Sequence, residues 1–457
     1  MYKVVYKSNG SEIGPGYRVC RINETSDKLE IWTGSEFSEL ELKAITPPEP
    51  VVIGEEPAPV KPTIVQPTPV QPSLVEPTPV KPAPVQPTIT DYVLGPKTGK
   101  VHYIEPGSST SYRGLFGKVA AGDTIMFKRG KHTTPIDMWN QKKESTVYVE
   151  AEVPGETFVA YAEIRQGCGN LHIQGITFLR DDAVSTRNGV RVYDQAVNVS
   201  FENCEVLGRA DSRDYLTWHT LEQWQGLGRG IDNGAKGGFV RNCRVIGNSS
   251  GISAGSGQVV ENCEVRGFAA DAYRGFGNVI LRNNFCCHPV NNKSGNHDDM
   301  FQSFNLAVDP PMYDMTLEGN TFMTWMPDEK FPQELQSLCQ GIGMFDGFWN
   351  RLTIRNNLIM TDHWHGISVY GARDSVIEDN VVLNILGNQI VNSKRPWMMV
   401  TSHKNGTPSE RVTVRNNKAL NYSMSDKTID LVFENNERLT VERNAALIEE
   451  LRSRWDR

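Results

Sequence analysis

Two aspartates stand at matching places in consecutive short segments, DAYRGFG (271–277) and DDMFQSF (298–304). Five other segments share their pattern: NGVRVYD (188–194), RGIDNG (229–234), SGISAG (250–255), QGIGMFD (340–346) and HGISVYG (365–371). We align them on one apolar residue that points inward, namely Val190, Ile231, Ile252, Ala272, Met300, Ile342 and Ile367. Side chains alternate along a strand, so the two neighbours of each anchor lie on the outer face. The position before the anchor is glycine except at Asp271 and Asp299. The position after it carries Arg191, Asp232, Ser253, Tyr273, Phe301, Gly343 and Ser368. If the segments are neighbouring strands, roughly 4.8 Å apart, Asp271 and Asp299 are close enough to split their pKa values. One then serves as general acid and the other as base or nucleophile.

The motif GNHDDMFQ (295–302) adds His297, two residues before Asp299 and on the same side, where it can orient the carboxylate or carry a proton. Gln302, Asp232, Tyr273 and Lys293 are expected around the pair as supporting groups, with His365 further along. Two apparent insertions carry aromatic residues: DYLTWHTLEQWQGLGRG (214–230) holds Trp218 and Trp224, and TDHWHG (361–366) holds Trp364. Together with Tyr370 and Arg191 they offer the ring faces and polar groups that a sugar-binding groove needs. The same tryptophans would equally serve to plug a loop onto the body of the fold. His363 and His365 form an H-x-H pair with no third ligand at a useful spacing, so no metal is assigned.

These residues must be held by something regular, and a repeat supplies it. IQGITF (173–178), FENCEV (201–206), VRNCRV (240–245), VENCEV (260–265), LRNNFC (281–286), LEGNTF (317–322), IRNNLI (354–359), IEDNVV (377–382) and VRNNKA (414–419) share one template: apolar, polar, then Asn, Gly or Asp. The shortest spacings are 20, 21 and 23 residues, about one coil of three strands, and the longer ones leave room for loops. Stacked asparagines can hydrogen-bond from coil to coil, and Cys204, Cys243 and Cys263 fall at equivalent positions. Before the repeat, SSTSYRGLFGKVAAGDTIMFKRG predicts an amphipathic helix that covers the open first coil.

The chain divides by composition. Residues 1–46 predict a small β-meander that would serve as an attachment module. Residues 47–94 form a spacer in which, from Val60 to Pro87, valine and proline each recur every five residues, and such proline density gives a semi-rigid polyproline II rod. Residues 95–440 are the solenoid, and 441–457 predict a C-terminal capping helix. A net charge of −7 leaves no basic footprint for nucleic acid. No apolar run spans a membrane, and no secretory signal is read at the N-terminus. The eight cysteines include no CxxC pair, so reduced thiols are expected.

The segment AAGDTIMF, the recurrent RNN and ENC turns and the strand HGISVYG resemble the pectate-lyase-like right-handed parallel β-helix superfamily, over about 360 of 457 residues. That superfamily includes lyases, glycosidases, C5 epimerases and bacteriophage tailspikes, and the H-x-D-x-x-Q of His297, Asp299 and Gln302 resembles segments recurring in its carbohydrate-active members. The resemblance implies a spike on a virion surface, attached to a virion structural protein through residues 1–46 and trimeric by analogy. Three functions follow for a polysaccharide partner: hydrolysis through Asp271 and Asp299, lyase or epimerase action on a uronate, or binding without turnover. No cofactor is expected; a lyase would bring Ca²⁺ into question as the cation that neutralises the uronate, with His297 or Lys293 as base.

Overall fold

The computed structural model describes residues 92–456, apart from 109–111, 180–187, 292–296, 305–310 and 391–393, and, earlier, the backbone of four strands between Val4 and Glu39. The proline-rich repeat and Lys293 lie outside the described residues. The chain divides into two units, Met1–Lys81 and Pro82–Arg457. In the first, Val4–Tyr6, Arg18–Ile22, Leu29–Trp32 and Phe37–Glu39 pair antiparallel in chain order.

The second unit is a right-handed parallel β-helix, the hand that parallel crossovers take. Among the described residues its strands stack into sheets of 15, 12 and 11. One coil illustrates the path: Val259–Glu261 in the fifteen-stranded sheet, a sharp turn, Glu264–Phe268 in the twelve-stranded sheet, a corner, and Tyr273–Gly275 in the eleven-stranded sheet. Aliphatic and aromatic side chains from all three sheets fill the interior as one core.

The turn explains the template. Its third residue adopts left-handed backbone, at Asn203, Asn242, Asn262, Asn283, Asn356 and Asn416 with φ of 51–56°, a region that asparagine enters at low cost. The residue that follows points inward and stacks on its equivalent one coil away. Cys204, Cys243 and Cys263 begin this column and asparagines continue it: the Nδ2 atoms of Asn284, Asn320, Asn357, Asn380 and Asn417 each donate to the Oδ1 of the next at 2.9–3.0 Å. Each Nδ2 also reaches a carbonyl of an earlier coil, as Asn357 does at Leu317. Turning and stacking, assigned to one asparagine by the template, are thus divided between consecutive residues.

At the start of the solenoid a short helix, Tyr112–Phe116, buries Tyr112 and Phe116 in the core. The C-terminal helix, Val441–Glu450, is held by the Thr440 cap, whose hydroxyl accepts the Arg443 N–H. It does not cap the last coil. Leu447 and Ile448 pack with Leu383, Ile385 and Leu439 on the outer flank of the twelve-stranded sheet, and Ile429, Val432 and Phe433 of the last coil stay exposed. The helix's apolar stripe finds its partner on a flank because that sheet's outward residues there are apolar. No helix among the described residues is long and apolar enough to cross a membrane.

Candidate functional site

The site lies at the corner where the chain passes from the twelve- to the eleven-stranded sheet. The backbone register there differs from the sequence alignment in two coils: Ile252 pairs with Tyr273, Tyr273 with Phe301, and Phe301 with Ile342. The inward anchors are therefore Tyr273 and Phe301. Ala272 and Met300 also face inward, so two consecutive side chains enter the core and simple alternation fails at this corner. The glycine column before the anchor is likewise inward: a Cβ on Gly341 would meet Ile359 Cγ2 at 2.6 Å. These glycines therefore do not lie on the outer face, where the alignment put them.

Tyr273 is accordingly not a supporting group on the outer face. It is fully buried, stacks on Phe322, and donates its hydroxyl to the carbonyls of Phe285 and Cys263. Asp271 and Asp299 nonetheless share a column, two positions before their anchors, and Asp299 pairs with Gln340. Both carboxylates turn toward the outer column that follows the anchor, where Arg274 and Gln302 stand side by side. Asp271 accepts from Arg274 Nε at 2.5 Å and from the backbone N–H of Asp299 at 3.1 Å. Asp299 Oδ2 accepts from Gln302 Nε2 at 3.1 Å and meets His297 Nδ1 at 2.9 Å. Asp299 Oδ1 is buried without a hydrogen-bond partner, in space left by Gly343, whose added Cβ would lie 2.6 Å from it.

Accessibility separates these groups. The side chains of Asp299 and Asp271 are 0% and 1% exposed, whereas that of His297 is 56% exposed. The two aspartates expected to be open on a groove lie beneath the surface, and the imidazole above them is the accessible titratable group. Burial raises Asp299 to about 6, against the lowering effect of His297, and the charge of Asp271 adds to the rise. Burial also raises Asp271, with Arg274 opposing it. Asp298, hydrogen-bonded to Ser337, is raised to about 7 by the same cause. The hydrogen bond to Asp299 in turn raises His297.

Beyond His297 the corner continues into an aromatic cluster. His365 Nδ1 meets Ser368 Oγ at 2.8 Å, Trp397 Nε1 donates to the same hydroxyl at 3.2 Å, and Phe345 sets its ring edgewise to His365 and Tyr370. Trp364 is 43% exposed over His363. Burial lowers His363 and His365 to about 4, so both are neutral near pH 7.

The other anticipated sugar-binding groups divide. Trp218 and Trp224 are buried, ring edge to ring face, and with Tyr215 and Phe331 they pack the insertion against the twelve-stranded sheet. They are packing residues, because an insertion of this length needs an apolar anchor of its own. Arg191 is exposed over the Tyr193 ring, and Asp232 lies in the outer column two coils from Arg274, bonded to Asn188. Sequence reasoning missed Arg274, Gln340, Phe345 and Trp397 as neighbours of the site; Asp298, the outward residue if the register slips by one, is buried. A signal for Arg274 existed: Asp271–Arg274 and Asp299–Gln302 have the same spacing of three.

Ca²⁺ does not suit this cluster. Arg274 already neutralises Asp271, and His297, Gln302 and Ser337 occupy oxygens of the other two carboxylates. Among the described residues no three His, Cys, Asp or Glu side chains are grouped to hold a metal ion.

No protein-family model and no curated protein matches the sequence. Solved structures do. A mannuronic acid specific polysaccharide family 6 lyase from human gut microbiota is 11% identical with a TM-score of 0.47, over 73% of this chain and 82% of that one. The Dettilon tailspike protein is 11% identical with a TM-score of 0.46, over 73% and 66%. The catalytic unit of a thermostable α-1,3-glucanase from Streptomyces thermodiastaticus is 13% identical with a TM-score of 0.47, over 76% and 70%. These are likenesses of backbone path.

Proposed function

We propose that this protein acts on a polysaccharide lying along the outer face of the eleven-stranded sheet, with His297 as the group that moves a proton. The observation that carries the reading is an exposed imidazole held by a buried carboxylate, His297 on Asp299. Such a pair fixes the ring's orientation and tunes its basicity, the arrangement of a general acid or base. Asp299 and Gln302 are positioning residues, and Asp271 holds Arg274 beside them as a hydrogen-bond donor. A base beside a guanidinium that can bind a carboxylate fits proton abstraction next to that carboxylate, so a uronate glycan cut by β-elimination or epimerised is the first reading. Trp364 and Tyr370 supply ring faces further along.

Hydrolysis is the second reading. It is favoured by the raised carboxyl groups of Asp271 and Asp299, and it requires that the glycan reach acids withdrawn from solvent. Placement on a virion surface, attachment through residues 1–46 and trimerisation belong to the same proposal and rest on the sequence resemblance. Purified host capsule, exopolysaccharide and lipopolysaccharide, each with and without uronate, test the reading. New ultraviolet absorbance from an unsaturated uronate selects elimination, new reducing ends without it select hydrolysis, and altered uronate configuration at constant chain length selects epimerisation. Retention without any product leaves a binder. Product formation undiminished in His297→Gln would refute the role given to His297.

A further inference from the structure

A second cleft opens on the outer face of the twelve-stranded sheet. It has two lobes of about 550 and 290 Å³ that share Arg213, Asn242 and Arg244. Turn residues Gly175, Asn203, Asn242 and Asn262 from successive coils line its edge, and Phe285 belongs to the next coil again. Five coils, separated by four spacings of roughly 4.8 Å, give a length of roughly 20 Å. The floor is a row of paired strand residues, Glu205, Arg244, Glu264 and Phe285. Arg213 and Tyr215 of the insertion form one wall, and Glu329 and Trp455 line the cleft as well.

Its charges cancel. Arg213 pairs with Glu205 at 3.0 Å, Arg244 with Glu264 at 3.0 Å, and Arg266 with Glu329 at 2.9 Å. Three cations against three carboxylates leave no net field for an anion such as phosphate. They do leave paired donors and acceptors held rigid by one another, which match the vicinal hydroxyls of a sugar. Two polar atoms of the lining residues, Trp455 Nε1 and Glu329 Oε2, are buried without a hydrogen-bond partner. Leu216, Ile246 and Phe285 supply apolar surface between the polar groups, the mixture typical of ligand clefts in this size range.

We propose that this cleft is a second, non-catalytic glycan groove, taking a run of neutral sugar residues along the solenoid axis. It rests on the reading that the protein acts on a polysaccharide. It would hold a long chain on the protein while a distant part of that chain meets His297. The test is affinity electrophoresis of the full-length protein in gels containing each purified host polysaccharide, beside turnover of short oligosaccharides cut from the retained one. Arg213→Ala and Glu264→Gln should each weaken retention roughly ten- to a hundred-fold, the range for loss of charged hydrogen bonds, while short-oligosaccharide turnover and melting temperature stay unchanged. Unchanged retention in both variants overturns the groove and leaves the proposed function standing. Competition by inorganic phosphate in place of neutral oligosaccharide also overturns it. Failure of wild-type protein either to be retained or to turn over any of the glycans brings down both readings together.

Discussion

Asp298 is the carboxyl group whose burial leaves the clearest mark on stability. It is 4% exposed, its partner is the Ser337 hydroxyl, and it is raised from 3.8 to about 7. The folded protein therefore prefers Asp298 protonated. A group raised by folding contributes stability that is complete below about pH 4 and is lost as pH climbs through about 7. At about 1.4 kcal/mol for each pH unit between those values, keeping Asp298 ionised in the fold costs on the order of 4 kcal/mol, and Asp271 and Asp299 nearby share part of it. Asp298→Asn keeps a polar contact with Ser337 and removes the charge. Equilibrium urea unfolding, followed by the fluorescence of the buried tryptophans, should show the variant more stable than wild type by a few kcal/mol at pH 8 and equal to it at pH 4. A variant less stable than wild type at pH 8 would refute the reasoning. Loss of turnover with stability unchanged at both pH values would instead make Asp298 the catalytic acid.

His297→Gln should lower turnover about 10²- to 10⁴-fold, the usual contribution of a positioned acid or base, with little change in melting temperature. Asp299→Asn removes the partner that raises His297. If His297 acts as a base, the acidic limb of the rate profile should move to lower pH, as steady-state rates across pH would record. Gly343→Ala puts a methyl group 2.6 Å from Asp299 Oδ1 and from the Phe345 ring. It should cost about 1 to 3 kcal/mol and reduce turnover by displacing Asp299, read by thermal melting beside activity. Asn357→Leu deprives the backbone N–H and Nδ2 of Asn320 of their shared acceptor. At about 1 to 3 kcal/mol for each buried group left unsatisfied, urea unfolding should report a loss of roughly 2 to 6 kcal/mol. Thiol titration in denaturant without reductant should count close to eight, since every described cysteine is buried and unpaired.

The coil was legible because its signal is local. Left-handed asparagine followed by a stacking residue leaves the same short mark in each turn, whatever the loops between. The column shared by Asp271 and Asp299 was legible for the same reason, and so was the place of His297 beside it. The register was misread in just the two coils where an aromatic anchor follows a smaller apolar residue, Ala272-Tyr273 and Met300-Phe301. Alternation along a strand carries no information about a corner that turns two successive side chains inward. The depth of the aspartates and the fate of Trp218 and Trp224 were not legible either. Both depend on what packs over them from elsewhere in the chain, and the residue types suit a sugar platform and a buried plug equally well.

The column of inward turn residues changes chemistry partway along the solenoid, from Cys204, Cys243 and Cys263 to the asparagines beginning at Asn284. Thiols meet chiefly backbone carbonyls, whereas each amide hands a hydrogen bond to its successor in one direction. The column thus has two kinds of link, which meet near Asn284, close in sequence to the coils that hold Asp271 and Asp299. In the thiol portion the bridging amides lie outside the column and reach backbone carbonyls of the preceding coil, as Asn233, Asn248 and Gln258 do at Val199, Val206 and Asn233. Beyond the join, parting any two coils must break the amide bond together with the strand bonds, so that stretch yields as a block and keeps its spacing until it does.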